Sequence, residues 1–121
     1  MYKHGSTSKK EKKFLDSIIS DESYHNVYIN ETGSIVDLKY GNKIIEFYGD
    51  YWHCNPRDPR FPDDFYNKNL HMTAKEKREF DNNRISKLKD LGYEIKIIWE
   101  MDYDSNPDKT ILECKEFIGV N

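Results

Sequence analysis

The sequence has few cysteines, no long hydrophobic run and no excess of positive charge. Each of these shortages argues against one class of protein. The two cysteines, Cys54 and Cys114, stand apart without a Cys-x-x-Cys pair, which predicts reduced thiols and no disulfide framework. No apolar stretch approaches membrane-spanning length, and no signal-peptide pattern opens the chain. We therefore expect a soluble, cytoplasmic protein with no membrane partner. The net charge of −3 counts mildly against a nucleic-acid-binding domain.

The residues that are present fit one small domain covering residues 1–121. A chain of this length can bury one modest core, and its hydrophobic residues are periodic. Its nine tyrosines suit a surface that binds a partner. Charge is uneven, because residues 1–13 hold five lysines against one acid, Glu11. The basic arm over about residues 1–8 fits phosphate binding, but the charge pattern alone favours the solvated start of a helix or a remnant of a linker.

The first half of the chain predicts one helix and an antiparallel meander. Ser8 and Glu11 form a capping box, and the apolar spacing after them predicts a helix to about Ser20. Short alternating segments separated by turn residues then predict strands at 26–30, 34–39 and 43–48.

The second half begins with a long loop. Residues 49–72 contain three of the four prolines and little periodicity, and a loop of this length is more often functional than accidental. A second capping box beginning at Thr73 predicts a helix to about Leu91, with Phe80, Leu88 and Leu91 on its buried side.

A strand over 93–99 and a helix from Asn106-Pro107 complete the order α-β-β-β-α-β-α. The helix between the third and fourth strands implies a mixed sheet with helices on both faces, that is, an α/β fold.

Two acidic residues interrupt the strands of the second predicted hairpin. Asp37 lies inside its strand, where Asp is disfavoured, and Glu46 breaks an apolar run in the next strand. Each alone fits a solvent-facing or edge position. As a pair on neighbouring strands, they are typical of carboxylates that converge on a hard cation such as Mg²⁺, for which Mn²⁺ can substitute. Such a cation polarises a phosphoryl oxygen and activates water.

His53 and Asp81 form a second candidate pair. His53 follows the third strand and can take a proton near neutral pH, although a histidine there is often only a structural hydrogen-bond partner. Asp81 can fix the tautomer of His53 by accepting from its other nitrogen, or can simply stabilise the start of its helix. For Glu11 the capping box is a sufficient explanation.

Two longer runs carry a specific resemblance. Residues 49–53, Gly-Asp-Tyr-Trp-His, resemble the Gly-x-aromatic-Trp-His segment of very-short-patch-repair endonucleases. Residues 81–100 resemble a second segment of that family, an Asp followed by Leu-Gly-aromatic and an apolar strand ending in Trp-Glu. The chain is also similar to phage homing endonucleases with an E-D-x-H-D signature, over about residues 8–101. That signature falls on Glu11, Asp37, Phe47, His53 and Asp81.

The resemblance implies a restriction-endonuclease-like (PD-(D/E)XK-type) fold, an αβββαβ core with a C-terminal helix. It also implies a Mg²⁺-dependent endodeoxyribonuclease of a phage or bacterial host cell. Asp37 would be the main metal carboxylate, and the Phe47 carbonyl a second metal ligand. His53 would be the general base, oriented by Asp81, and Glu11 would lie near the waters around the metal.

The chain departs from the family at three points. The third strand keeps the acid of the family's acidic-x-Lys pattern, so Glu46 is a further candidate metal ligand, but Tyr48 replaces the Lys. The repair enzymes have a histidine where this chain has Tyr48. They also hold a structural zinc, which we do not expect here because only Cys54, His71 and Cys114 are available. Their mismatch recognition is therefore not implied.

Double-stranded DNA is the partner that the resemblance implies. Tyr51 and Trp52 match an aromatic pair that wedges into the base stack in that family, while the alternative is that Trp52 packs under the loop. Arg57 and Arg60 fit phosphate contacts or, with the aspartates around them, a neutral surface loop. Basic residues of the second predicted helix, including Lys77 and Arg84, fit further phosphate contacts or a solvent-facing surface.

The function predicted is that of a homing or repair-related, metal-dependent endonuclease. A domain this small with little positive charge predicts weak specificity alone, so we expect a fused or separate DNA-binding domain, or a homodimer. Two functions remain as alternatives, a non-catalytic DNA-binding module of the same fold and a nuclease selective for mismatches or junctions. A protein-binding domain with an aromatic loop is a more distant one.

Overall fold

The computed structural model describes residues 8–121, so the predicted basic arm lies, except for Ser8, outside the described residues. Over these described residues the protein is mixed α/β, with a four-stranded mixed sheet, a small hairpin, four α-helices and one short 3-10 helix. Within residues 8–121 no helix is long and apolar enough to cross a membrane. The elements are α1 (Lys9–Ile18), β1 (His25–Ile29), β2 (Ser34–Tyr40), β3 (Lys43–Tyr48), β4 (Tyr66–Asn67), β5 (Met72–Thr73), α2 (Ala74–Asp90), β6 (Glu94–Trp99), α3 (Glu100–Ser105) and α4 (Pro107–Ile118).

The main sheet has the order β1-β2-β3-β6. Antiparallel pairing joins β1, β2 and β3, and β6 runs parallel to β3 over its whole length. The predicted meander and mixed sheet are therefore confirmed. The chain returns from β3 to β6 through α2, whose start is fixed by the predicted capping box, because Thr73 and Glu76 each bind the other's backbone amide.

Two hydrophobic clusters cover the two faces of the sheet, as the predicted order implies. On one face α1, α3 and α4 pack on the strands through buried residues that include Phe14, Leu15, Tyr103, Cys114 and Ile118. On the other face, Ile85 and Leu88 of α2 pack on Ile29, Val36 and Ile44. Burying apolar surface on both faces is what holds a sheet of this kind between helices.

The structure differs from the sequence prediction in three elements, the first of which is the short 3-10 helix Glu22–Tyr24 before β1. The long loop contains the hairpin β4–β5, and the additional helix α3 follows β6 directly. Each strand of the hairpin has only two residues, too few to show a period. No side chain caps α3, so the sequence has no start signal for it.

The predicted buried face of α2 was correct at Leu88, which is fully buried, and wrong at the other two residues. Phe80 is 54% exposed and Leu91 is 45% exposed. The buried face instead includes the polar residues Lys77 and Asp81. Lys77 and Asp81 lie on the side of α2 that faces the sheet. Phe80 therefore lies on the side that faces solvent.

Candidate active site

The first half of the site lies where β2 and β3 diverge. Their regular pairing reaches Leu38 and Ile45 and does not continue to Asp37 and Glu46. Beyond that pair, backbone amides of the two strands donate to side-chain carboxylates instead of to carbonyls of the neighbouring strand. The Asp37 amide donates to Glu46 Oε2 at 2.9 Å, and the Phe47 amide donates to Asp37 Oδ2 at 2.7 Å. Two buried carboxylates thereby bind each other's strands at the point of divergence.

The neighbouring strand is irregular at the same position. His25 pairs with Leu38 and Val27 with Val36, so Asn26, with a backbone φ of +50°, lies opposite Asp37. Asn tolerates this left-handed conformation better than most residues. Val36 and Leu38 consequently pack in different hydrophobic clusters, which a strand with regular alternation would not allow. These irregularities let β2 hold a buried Asp.

Arg84 of α2 neutralises part of this acidic pair. Its guanidinium donates to Glu46 Oε1 and, at 2.9 Å, to the carbonyl of Ile35 in β2. Burial and the charge of Asp37 raise the pKa of Glu46 to about 8, and the Arg84 cation opposes that rise. Arg84 is therefore a partly buried partner of Glu46 and not the surface phosphate contact that its position in the sequence suggested.

The second half of the site is a chain of three side chains. Asp81 accepts from His53 Nδ1 at 2.8 Å through one oxygen and from Lys77 Nζ at 2.9 Å through the other. Burial raises the pKa of Asp81, but its hydrogen bond with His53 and the charges of His53 and Lys77 outweigh burial, so the pKa is lowered overall. Asp81 thus stays ionised beside the imidazole. Lys77 is buried, in contrast to its predicted place on the surface.

Tyr48 joins the two halves. Its ring stacks on that of His53 with centroids 3.8 Å apart and planes 3° apart, and Trp99 packs edge-on against it. The hydroxyl is buried and has no hydrogen-bond partner among residues 8–121. Burial, and next the negative charges of Glu46, Asp81 and Asp37, raise the pKa of Tyr48. The hydroxyl therefore remains protonated near both acidic groups.

Local turns fix the position of His53. Its amide donates to the Gly49 carbonyl at 3.0 Å. The next residue, Cys54, is in the left-handed region with φ +49°, a conformation uncommon for a residue other than glycine. Asp50 Oδ1 accepts from the Asn55 side chain at 2.9 Å and from the Met101 amide at 3.3 Å.

Hydrogen bonds from Arg78 of α2 hold the loop segment that follows His53 against this helix. It donates to the carbonyl of Cys54 at 2.8 Å, to the carbonyl of Phe61, and to Asp63 at 2.9 Å. Under this contact lies a small apolar cluster of Cys54, Phe61 and Ala74. The loop is therefore folded around its own core, and both cysteines are buried free thiols.

The residues predicted to contact DNA are partly engaged within the protein. Tyr51 packs against the loop cluster and donates its hydroxyl to Asn69, and Trp52 stands edge-on to Tyr51 at 5.2 Å. Arg57 makes two hydrogen bonds with Asp102, at 3.1 and 2.7 Å. Arg60 pairs with Asp58, the arrangement that the neutral-loop alternative predicted.

Glu11 is partly buried on α1. Its amide donates to Ser8 Oγ at 3.1 Å, which is one of the two bonds of the capping box predicted there. The adjacent Lys10 binds Glu100 at 2.7 Å, and Glu100 in turn accepts from the Asp50 amide at 3.2 Å. The start of α1 is thereby linked to the turn that precedes His53.

Sequence reasoning missed Lys77 and Arg84 as parts of the site, although a signal was present. Lys77, Asp81 and Arg84 are spaced i, i+4 and i+7, which places them on one face of a helix. Within residues 8–121 no group of three or more His, Cys, Asp or Glu side chains is arranged to hold a metal ion. The hard oxygen donors at the divergence are the two carboxylates of Asp37 and Glu46.

Comparison of the chain with protein-family models, with curated proteins and with solved structures found no significant match.

Replacing Arg84 should destabilise the protein more at high pH than at low pH. We expect Arg84→Met to cost about 3 kcal/mol of unfolding free energy at pH 9, because an ionised buried Glu46 would lose its cation. The folded-state pKa of Glu46 lies above its ordinary value of 4.5. The contribution of Glu46 to the free energy of unfolding is therefore complete below pH 4.5 and is lost as the pH rises through about 8. Urea unfolding at pH 5 and pH 9 measures both values.

The matched control for this prediction is Lys87→Met, which changes an exposed residue of the same helix and should cost less than about 0.5 kcal/mol. An equal loss for Arg84→Met at both pH values would contradict the role given to Glu46.

Asp81→Asn should destabilise the protein at neutral pH and not in acid. The lowered pKa of Asp81 means that its stabilisation is present above the unfolded pKa of 3.8 and is lost as the pH falls through the lower folded value. We expect a cost of about 2 kcal/mol at pH 7, typical of a hydrogen bond to a charged group. Unfolding curves from pH 2 to 7 for wild type, Asp81→Asn and the exposed control Asp90→Asn test this. A constant difference across that range would contradict it.

Proposed function

We propose that this chain is a Mg²⁺-dependent DNA endonuclease domain with a restriction-endonuclease-like (PD-(D/E)XK-type) core, of the homing or repair-related group. The observation that carries the proposal is the His53–Asp81 hydrogen bond, which Tyr48 connects to the buried carboxylates of Asp37 and Glu46 through its stack on His53. The antiparallel meander, the parallel β6 and the crossover helix between β3 and β6 support the proposed core.

The oxygen atoms available at the site fit Mg²⁺ bound by one carboxylate and one backbone carbonyl. Mg²⁺ is bound by oxygen and commonly takes only one or two protein carboxylates, with substrate phosphate and water completing its ligands. Asp37 and the Phe47 carbonyl would hold the ion. Both oxygens of Glu46 already bind protein groups, Arg84 and the Asp37 amide, so Glu46 fits a supporting role better than direct ligation. When bound, Mg²⁺ would supply positive charge that stabilises the phosphoryl group during attack.

The chain's own residues handle the proton. His53 Nδ1 binds Asp81, and the proton from the attacking water would be taken at the other ring nitrogen, Nε2. Asp81 would stabilise the imidazolium that forms and keep the ring in one tautomer. The Lys77 ammonium on the other Asp81 oxygen would keep that carboxylate ionised throughout.

Double-stranded DNA is the proposed substrate, with help from a second DNA-binding element. The net charge is −3, and Arg57 and Arg60 are already paired with Asp102 and Asp58. Phosphate contacts provide most of the affinity in non-specific DNA binding, so a surface with its arginines neutralised would bind weakly alone. A fused or separate DNA-binding domain, or a second copy of the chain, would supply the missing affinity.

Conversion of supercoiled plasmid at low salt tests the proposal. The purified protein, alone and fused to an unrelated sequence-specific DNA-binding domain, is incubated with Mg²⁺, Mn²⁺ or EDTA. Cleavage with either metal and none with EDTA is expected, and the fusion should cut near its binding site. Failure of both proteins to cut with either metal would contradict the nuclease. Retained metal-independent DNA binding in that case would favour the non-catalytic module.

A further inference from the structure

The buried hydroxyl of Tyr48 makes no hydrogen bond that would stabilise the described part of the fold. Tyr48 is 5% exposed, and its hydroxyl has no hydrogen-bond partner within residues 8–121. Leaving a buried donor unsatisfied costs free energy, and such groups are uncommon in folded proteins. A phenylalanine would fill the same space between His53 and Trp99 without that cost. The hydroxyl therefore points to a ligand.

The surroundings of the hydroxyl identify the size and chemistry of that ligand. A water molecule is small enough to reach an oxygen buried to this extent, and a nucleotide would contact the hydroxyl only through that water. The nearby charges are those of Glu46, Asp81, Asp37 and Arg84, so the position is polar, as a site for buried water must be. The His53 ring lies parallel to the tyrosine ring with centroids 3.8 Å apart, so the hydroxyl belongs to a ring in direct contact with the proposed base.

We propose that the Tyr48 hydroxyl donates a hydrogen bond to a buried water beside His53, and that this water is the nucleophile of the reaction. The inference rests on the proposed nuclease function. The water accepts from the Tyr48 O–H and donates one proton toward His53 Nε2, which leaves a lone pair for attack on phosphorus. In the attack the new oxygen–phosphorus bond forms and the water proton goes to His53, while the leaving oxygen of the DNA strand departs with the bonding electron pair and takes a proton from solvent water.

The rigid stack suits this role. Tyr48 is held by His53 on its face and by Trp99 at its edge, so its hydroxyl cannot swing away without disturbing both contacts. A tyrosine O–H is a donor at neutral pH. The stack therefore fixes the position of His53, the proton acceptor, relative to Tyr48, the hydrogen-bond donor. A water between these two side chains would be oriented before the attack.

The test is Tyr48→Phe, which keeps the stack and removes only the hydroxyl. We expect the single-turnover cleavage rate at saturating DNA to fall roughly tenfold, the effect of one hydrogen bond in the transition state, with an unchanged DNA dissociation constant. The melting temperature should stay the same or rise, because an unsatisfied buried donor is removed. The matched control is Tyr40→Phe, a partly buried tyrosine at the far end of β2, which should leave the rate unchanged.

A second measurement keeps this inference separate from the nuclease itself. High-resolution crystal structures of wild type and Tyr48→Phe should show an ordered water within about 3 Å of the Tyr48 hydroxyl in the first and none there in the second. A wild type that does not cut any DNA would overturn the function while the water site is still judged by crystallography. A wild type that cuts, with Tyr48→Phe cutting equally fast, would overturn the inference. So would a melting temperature several degrees lower in Tyr48→Phe, since the hydroxyl would then have a partner in the fold.

Discussion

Asp37→Asn is expected to slow Mg²⁺-dependent cleavage by at least about a hundredfold. The substitution removes the negative charge proposed to hold the metal, while the side-chain oxygen of Asn can still accept from the Phe47 amide as Asp37 does. It also removes repulsion between two buried carboxylates, so the fold should be retained. A loss of activity without a loss of stability is therefore the expected pattern, measured by single-turnover cleavage and by urea unfolding.

Metal binding gives a readout of Asp37→Asn that is independent of cleavage. A ligand that binds only the folded state raises the melting temperature, so Mg²⁺ or Mn²⁺ should stabilise wild type and have little effect on Asp37→Asn. The control is Asp64→Asn, an exposed acid of the loop, which should respond to the metal as wild type does. Equal metal stabilisation of Asp37→Asn and wild type would place the metal elsewhere.

His53→Ala is expected to lower the cleavage rate by about a hundredfold to ten-thousandfold, the range for loss of a general base. Asp81→Asn should act through the same step, because its described contact with His53 is the 2.8 Å hydrogen bond to Nδ1. The double variant should therefore be no slower than His53→Ala alone, since residues that act as a unit are strongly non-additive. Single-turnover rates of the three variants form the test.

The control for this second prediction is His71→Asn. His71 is exposed and has a φ of +57°, a conformation that Asn tolerates, so its replacement should leave both stability and rate unchanged. Added imidazole should partly restore His53→Ala and should not affect Asp37→Asn. Multiplicative losses for His53→Ala and Asp81→Asn would mean that the two residues do not act as a pair.

Much of the fold was predictable because its signals are local. The Thr73–Glu76 capping box, the turn residues between β1, β2 and β3, and the apolar alternation of the strands each depend on neighbours in the sequence. The errors have the same origin. The two-residue strands β4 and β5 carry no period, and α3 begins without a capping side chain.

The site was predictable only in part, because half of it depends on contacts between distant segments. Asp37 stood out as an acid inside a strand, and the structure brings His53 and Asp81 within hydrogen-bond distance. The pairing of Arg84 with Glu46 joins residues 38 positions apart, and no local pattern indicates it. The exposure of Phe80 has the same cause, since the side of α2 that faces the sheet is set by the polar residues of the site.

The attachment of the loop to α2 through Arg78 has a consequence for the thermodynamics of association. Arg78 binds the carbonyls of both Cys54 and Phe61, so the segment after His53 is ordered before any partner arrives. Ordering a side chain at an interface costs about 0.5–1.5 kcal/mol, and for this segment that entropy has already been lost during folding. Association should therefore show a small entropic penalty from the loop, and the dissociation rate rather than the association rate should distinguish one partner from another.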